Sequence, residues 1–407
     1  MTHGTMAVDY EVRVDYERLR KERLAKAKAA LEASGFGALV CFDPNNTRYI
    51  TSTYLGEWAR DKMGRYSVLP LGGEPILYDF GSAVKVKQMR SPWLKRENVR
   101  PTSNWMRGSV PLSAGIMDDF AQEFATVLDE HGVRNKPIGV DMMDVPLLKA
   151  MQSVGIQIED GQQVMLDARM IKTVDEVELL KLSAGMADAA FADLFSAIRP
   201  GVRENELAAI ASDRLFRLGS EQVEYVNVAS GERTNPHPHT STDRMIRPGD
   251  LVYIDLMHSF NGYRTCYYRT FMCGEPTAEH RRVYKQTIDW LDAGIEQVKP
   301  GATTADIAAA WPSARELGFN DEAAAFALQF GHGIGLSIWE KPVVSRLFSL
   351  KDPYLLKVGM VFALETYCGT PDGSFGARVE DEIVVTEHGH EVITKFPRNE
   401  LPVTWSC

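Results

Sequence analysis

The chain has 407 residues and a hydrophobic fraction of 44%, enough for a large core and for two or three domains. Its 45 basic and 55 acidic residues leave a net charge of -10, and the basic residues form no tract of the kind that binds a phosphate backbone, so no nucleic-acid partner is expected. No run approaches the roughly 20 apolar residues of a membrane-crossing helix, and the opening MTHGTMAVDYEV lacks the basic and apolar segments of a secretory signal. A cytoplasmic protein without a membrane partner is the expectation. Cys41, Cys266, Cys273, Cys368 and Cys407 are odd in number and show no CxxC spacing, which argues against a disulfide framework or a structural zinc site.

Residues 16–34 (YERLRKERLAKAKAALEAS) are rich in strong helix formers and are followed by the stop signals Gly35 and Gly37. The apolar run GALVCF, bounded by glycine and by Asp43-Pro44, predicts a buried strand. Further short strands are expected in SVLPLGG, PILYDF, IGVDM (138–142) and IQIED (156–160). Strands alternating with helices make the first part an α/β domain. The expected boundary lies near Asp167–Thr173, dividing residues 1–170 from 171–407. There Thr173 and Glu176 match a helix capping box and open the long periodic segment VDEVELLKLSAGMADAAFADLFSAI.

The second part contains an internal repeat. IRPGVRENELAAIASDRLFRLG (198–219) aligns with VKPGATTADIAAAWPSARELG (298–318). Farther on, Gly249 and Gly359 each precede an apolar strand that ends in a carboxylate, Asp255 in one copy and Glu365 in the other. Return strands follow at Tyr263–Cys273 and Arg378–Thr386. The predicted unit is two helices and an antiparallel strand pair, used twice.

Asp255 and Glu365 thus occupy matching positions, with Cys266 and Glu380 on the return strands, and a twofold-like arrangement turns the four toward one another. A carboxylate that interrupts an apolar strand is costly unless it is paired or binds a metal. Two at matching positions, beside Glu380-Asp381-Glu382, point to a site. His332 sits in Phe330-Gly-His-Gly-Ile-Gly335, where alternating glycines allow close approach and the imidazole can ligate a metal, move a proton or simply occupy a turn. These glycines do not form the strand–GxGxxG–helix signature of a dinucleotide site. His237 and His239 lie in a polar loop before the first carboxylate strand, suited to contacting substrate or to an ordinary surface role.

Taken together, Asp250, Asp255, Tyr263, Arg269-Thr270, the Gly331–Gly335 segment, Leu364-Glu365 and Arg378-Val-Glu380-Asp381 resemble the pita-bread family of creatinase, prolidase, aminopeptidase P and methionine aminopeptidase. The resemblance covers 171–396 and implies a pita-bread catalytic domain with an internal ααββ repeat behind a smaller creatinase/prolidase-type α/β domain. It implies that Asp255, His332, Glu365 and Glu380 are metal ligands, that His237 or His239 is the loop histidine, and that Arg378 is the arginine beside the last glutamate. Peptidase members carry a second aspartate eleven residues after the first, where this chain has Cys266.

The implied outcomes are one divalent ion (zinc, iron or manganese) held by Cys266, His332, Glu365 and Glu380 with Asp255 nearby, or no metal and acid/base work by histidine. Ser230–Pro236 and Phe42–Tyr49 are also similar to the family's dimethylsulfoniopropionate lyases, although one of their extra ligand carboxylates would fall at Met257. Three functions follow as expectations. The first is hydrolysis of a small amide, dipeptide or amino-acid-like metabolite by water activated at a metal. The second is β-elimination on a small zwitterion, with Asp255 as base, and the third is a non-catalytic binding module. The family resemblance further implies a homodimer in which Tyr54, Trp58, Arg60 and Arg65 contact the small-molecule substrate.

Overall fold

The computed structural model describes residues 14–56, 64–102, 108–236 and 238–405. The chain divides into two compact units, Met1–Arg169 and Met170–Cys407.

In the first unit, α1 (Tyr16–Ser34) starts at Asp15, whose carboxylate accepts from the backbone N–H groups of Glu17 and Arg18. It stops at Gly35, which takes the left-handed conformation at φ 76°. There follow β1 (Ala38–Cys41), α2 (Pro44–Thr51), β2 (Tyr66–Pro70), β3 (Ile76–Phe80), α3 (Gly81–Arg90) and β4 (Val99–Thr102). The unit ends with α4 (Ile116–Glu130), β5 (Ile138–Val140), α5 (Val145–Ser153), β6 (Ile158–Asp160) and α6 (Gly161–Met170). The six strands form one sheet in the order β4-β3-β2-β1-β5-β6, with β1 antiparallel to β2 and parallel to β5. Its core is aromatic: Tyr66 stacks on Tyr78 at 4.4 Å and meets Phe120 edge-on at 5.2 Å.

The second unit opens with α7 (Val174–Ala197), capped reciprocally as the sequence predicts. The Thr173 hydroxyl accepts from Glu176 N at 3.3 Å, and Thr173 N donates to the Glu176 carboxylate at 2.9 Å. Next come α8 (Glu204–Leu218), β7 (Gln222–Ser230), β8 (Leu251–Phe260) and β9 (Tyr263–Cys273). The second copy is α9 (Ala278–Ile295), α10 (Thr304–Ala309), β10 (Phe330–Gly333), β11 (Glu340–Val344), β12 (Val361–Gly369) and β13 (Gly376–Thr386). The short strands β14 (Gly389–Val392) and β15 (Val403–Thr404) close the chain. Two sheets result, β11-β10-β12-β13-β14 and β15-β9-β8-β7.

The repeat differs from the sequence expectation in two respects. Each strand pair has a further antiparallel neighbour before it, β7 beside β8 and β10 beside β12. The second helix of the second copy has 6 residues where its counterpart has 15. Pro312 explains the difference, because its ring and missing N–H end the helix at Trp311 and before. No helix among the described residues is long and apolar enough to cross a membrane. Cys41, Cys266, Cys273 and Cys368 are free and buried.

Candidate metal centre

Strand register sets the geometry. Asp255 lies opposite Tyr268 and Met257 opposite Cys266 across β8 and β9. Glu365 faces Glu380, Tyr367 faces Arg378 and Ala363 faces Glu382 across β12 and β13. Cross-strand partners share a face of the sheet, as do residues two apart along a strand. One face of each hairpin is therefore polar. The opposite faces, with Ile254, Leu256, Tyr267 and Phe271 in one and Phe362, Leu364, Val379 and Ile383 in the other, sit in the apolar cores under the helices.

The hairpins meet along β9 and β13. Arg378 N donates to the Thr270 hydroxyl at 2.9 Å, which in turn donates to Arg378 O at 2.6 Å. Four residues away on β9, Cys266 N donates to Glu382 Oε1 at 2.8 Å.

This seam brings Cys266 Sγ, a His332 ring nitrogen and a Glu380 carboxylate oxygen within 4.8 Å of one another. Cys266 Sγ lies 3.7 Å from Asp255 Oδ1 and 3.9 Å from Glu380 Oε2. All four residues are buried. His332 Nδ1 donates to the carbonyl of Gly333 at 3.1 Å, so the neutral ring keeps its lone pair on Nε2, which stands 3.8 Å from Glu380 Oε1.

The groups fit a cation. Burial, reinforced by the charge of Glu365, pushes the Glu380 carboxyl well above the usual carboxylate range. Burial also raises Asp255 to about 7 against the hydrogen bond from Tyr268, raises the Cys266 thiol, and lowers His332. Glu380 Oε1 and Glu382 Oε2 have no hydrogen-bond partner among the described residues despite complete burial. Unpartnered anionic oxygens in a dry site are costly, and a divalent ion removes that cost by holding the ligands deprotonated. Ligand atoms around a tetrahedral zinc lie about 3.5 Å apart, close to the separations seen here.

Glu365 faces the same region but is committed elsewhere: Arg378 Nε and Nη2 donate to its Oε2 at 3.0 and 2.6 Å. Arg378 is fully buried and its guanidinium lies 5.0 Å from the Tyr268 ring. His239 is exposed beside Arg378 and Glu365, and partial desolvation of its ring followed by the Arg378 charge holds its pKa below the ordinary value. The Asn227 amide and the Tyr253 hydroxyl both donate to Pro238 O at 3.1 Å, fixing the loop that carries His239. His237, Trp58 and Arg60 lie outside the described residues. In the first unit, Tyr54 is exposed and Arg65 pairs with Asp79 at 2.6 Å.

His332 belongs to a strand rather than a turn, lying opposite Ala363 of β12. Its glycines are there for clearance. A Cβ on Gly331 would fall 2.5 Å from Leu364 Cδ2, and one on Gly333 would fall 2.2 Å from Lys341 O. The sequence-predicted residues divide accordingly. Cys266, His332 and Glu380 converge, Asp255 adjoins them through Cys266, and Glu365 pairs with Arg378.

Sequence reasoning passed over Tyr268, gave Glu382 no role beyond the acidic run Glu380-Asp381-Glu382, and passed over Trp339. The first two could have been found from the period of two along β9 and β13, since they follow Cys266 and Glu380 by two residues. Asp381 between the two glutamates faces the other way and pairs with Arg269 at 2.8 Å.

Residues 178–387 match the sequence model of Metallopeptidase family M24. The chain belongs to this family. An Xaa-Pro dipeptidase of Pyrococcus furiosus is 32% identical, covering 94% of this chain and 100% of that protein. The dimethylsulfoniopropionate lyase DddP of Roseobacter denitrificans is 26% identical over 94% of this chain and 87% of its own length. Among solved structures, the prolidase from Pyrococcus furiosus superposes with a TM-score of 0.73 at 26% identity, covering 91% of this chain and 100% of that one. These relatives are enzymes of the M24 family, and the pita-bread architecture of the prolidases is that of this chain.

Proposed function

We propose that the protein is a metal-dependent hydrolase of a small amide, dipeptide or amino-acid-like metabolite. The observation that carries this reading is the buried Cys266–His332–Glu380 triplet with ligand atoms within 4.8 Å of one another. A divalent cation in such a set supplies Lewis acidity toward a carbonyl oxygen and makes water a stronger acid. Zinc, iron or manganese is compatible with sulfur, imidazole and carboxylate donors, in that order of preference for the thiolate.

The chain's own groups complete the chemistry. Arg378 fixes the Glu365 carboxylate at the rim, and Tyr268 does the same for Asp255 through its hydroxyl. His239, its pKa held below the ordinary value, exchanges a proton with substrate from its pinned loop in this reading. The apolar packing behind both hairpins excludes water from the cluster. In this reading residues 171–407 form the catalytic domain and 1–170 the creatinase/prolidase-type domain. A cytoplasmic homodimer belongs to the same proposal, its pairing tested by the mass of the protein in solution.

A second reading is a lyase that removes a proton beside a carboxylate-activated carbon. The 26% identity to DddP over 94% of the chain supports it. Parallel assays separate the two. Release of free proline from Xaa-Pro dipeptides, or of ammonia from amino-acid amides, supports the hydrolase, release of dimethyl sulfide from dimethylsulfoniopropionate supports the lyase, and none of these products from a metal-loaded preparation overturns both.

A further inference from the structure

Beside the acidic cluster stands a row of aromatic rings that the proposed chemistry leaves unused. The Trp339 indole packs on the imidazole of His332 at 4.6 Å between centroids and lies 5.5 Å from Phe330. Phe326 continues the row, edge-on to Phe330 at 5.2 Å and to Phe348 at 5.7 Å. Phe330 and His332 are each only 2% exposed, whereas Trp339 is 59%, Phe348 51% and Phe326 44% exposed.

Three large aromatic side chains open to solvent around one buried ring form an apolar patch that water solvates poorly. The patch is fixed in place. Glu340, the next residue after Trp339, forms a buried ion pair with Lys172 at 2.9 Å and accepts from Ser337 N at 3.0 Å, which holds the turn carrying the indole. A rigid, exposed indole that touches a residue of the candidate centre costs little side-chain entropy when a ligand covers it.

We infer that Trp339 determines specificity: its open surface, continued by Phe326 and Phe348, receives the apolar side chain of a ligand whose polar end lies at the Cys266–His332–Glu380 cluster. The occupant is an aliphatic or aromatic side chain. The wall itself consists of rings that bury by the hydrophobic effect, and the carboxylate next to it, Glu340, is already paired with Lys172. The substrate class narrows to amides or peptides of hydrophobic amino acids. This rests on the site assigned above, but its test reads binding and not turnover, so the loss of the hydrolase reading and the loss of this one are distinguishable.

The protein as purified, labelled with 5-fluorotryptophan at its seven tryptophans, gives fluorine resonances of which the one missing in Trp339→Phe is assigned to Trp339. Titration with L-phenylalaninamide is expected to move that resonance saturably, and glycinamide is expected to do so at least about tenfold more weakly. Calorimetry on Trp339→Ala is expected to show about a tenfold loss of affinity for L-phenylalaninamide with affinity for glycinamide unchanged. Equal affinities for the two amides, or a Trp339 resonance that stays still, would overturn the inference. So would a Trp339 resonance that responds to tetramethylammonium in preference to L-phenylalaninamide, because the wall would then be a cation site. If Trp339 responds as expected while no amide or peptide is hydrolysed, this inference stands and the hydrolase reading falls.

Discussion

His332 Nε2 lies 3.8 Å from Glu380 Oε1, and both side chains are sealed from solvent. An imidazole lone pair and a carboxylate oxygen facing the same space repel unless a proton or a cation lies between them. The Gly333 carbonyl already takes the Nδ1 proton at 3.1 Å. A Glu380→Gln variant keeps the shape but not the anionic donor. Metal affinity is expected to fall at least about 100-fold, more than is typical for a supporting residue, with the far-ultraviolet circular dichroism unchanged. Undiminished affinity in a metal-buffer titration would remove Glu380 from the ligand set.

Arg378 and Glu365 form a buried pair at 2.6 Å. Arg378→Met leaves a desolvated carboxylate and is expected to cost about 3–5 kcal/mol in urea unfolding. Adding Glu365→Gln to it removes the charge and is expected to recover most of the loss. Equal instability of the single and double variants would show that packing of the guanidinium, and not its charge, is what matters.

Gly331→Ala tests the clearance around the centre. Its Cβ would stand 2.5 Å from Leu364 Cδ2 and 2.9 Å from Ala363 O, in a strand that has no room to move. A loss of about 1–3 kcal/mol is expected from the forced shift, together with weaker metal binding because His332 follows directly. Wild-type metal affinity in this variant would show that the strand spacing does not set the position of the imidazole.

His258 gives the pH dependence its sign. It is fully buried, with Nε2 3.0 Å from Ser183 O and Nδ1 3.1 Å from the Ser220 hydroxyl. Burial, opposed by its bond to Ser183, pushes its pKa from 6.5 down to about 4. The unfolded chain therefore binds this proton more readily than the folded one. The contribution of the neutral ring is full above pH 6.5 and is lost as the pH falls toward 4, about 3 kcal/mol in all. Unfolding free energies of the wild type and His258→Gln, measured from pH 7 to pH 4, are expected to differ by a gap that shifts by this amount in favour of the variant. A gap that stays constant with pH would show that His258 does not titrate on unfolding.

Much of this was legible in the sequence because its signals are local. Gly35, and Thr173 with Glu176, mark helix ends through bonds made within one turn. The matched positions of Asp255 and Glu365 revealed the duplicated hairpins, since a charge inside an apolar strand needs a special partner. What sequence could not supply was partner choice across β9 and β13. That Cys266 meets Glu380 depends on how the two hairpins dock, through contacts between residues more than 100 apart such as Cys266 N with Glu382. The strands β7 and β10 were missed as members of the repeat because their pairing partners lie in later strands, and His332 was left between turn and ligand for the same reason. The early end of α10 was readable at Pro312 but was outweighed by the resemblance of the flanking residues.

The most direct measurement is elemental analysis of the wild type and of Cys266→Ala, purified without chelator and compared per chain. About one divalent ion per wild-type chain, falling to a small fraction in the variant, is the expected result for a single centre ligated by the thiolate. A wild type that retains no metal when zinc, iron and manganese are each supplied, or a variant that retains as much as the wild type, would contradict it.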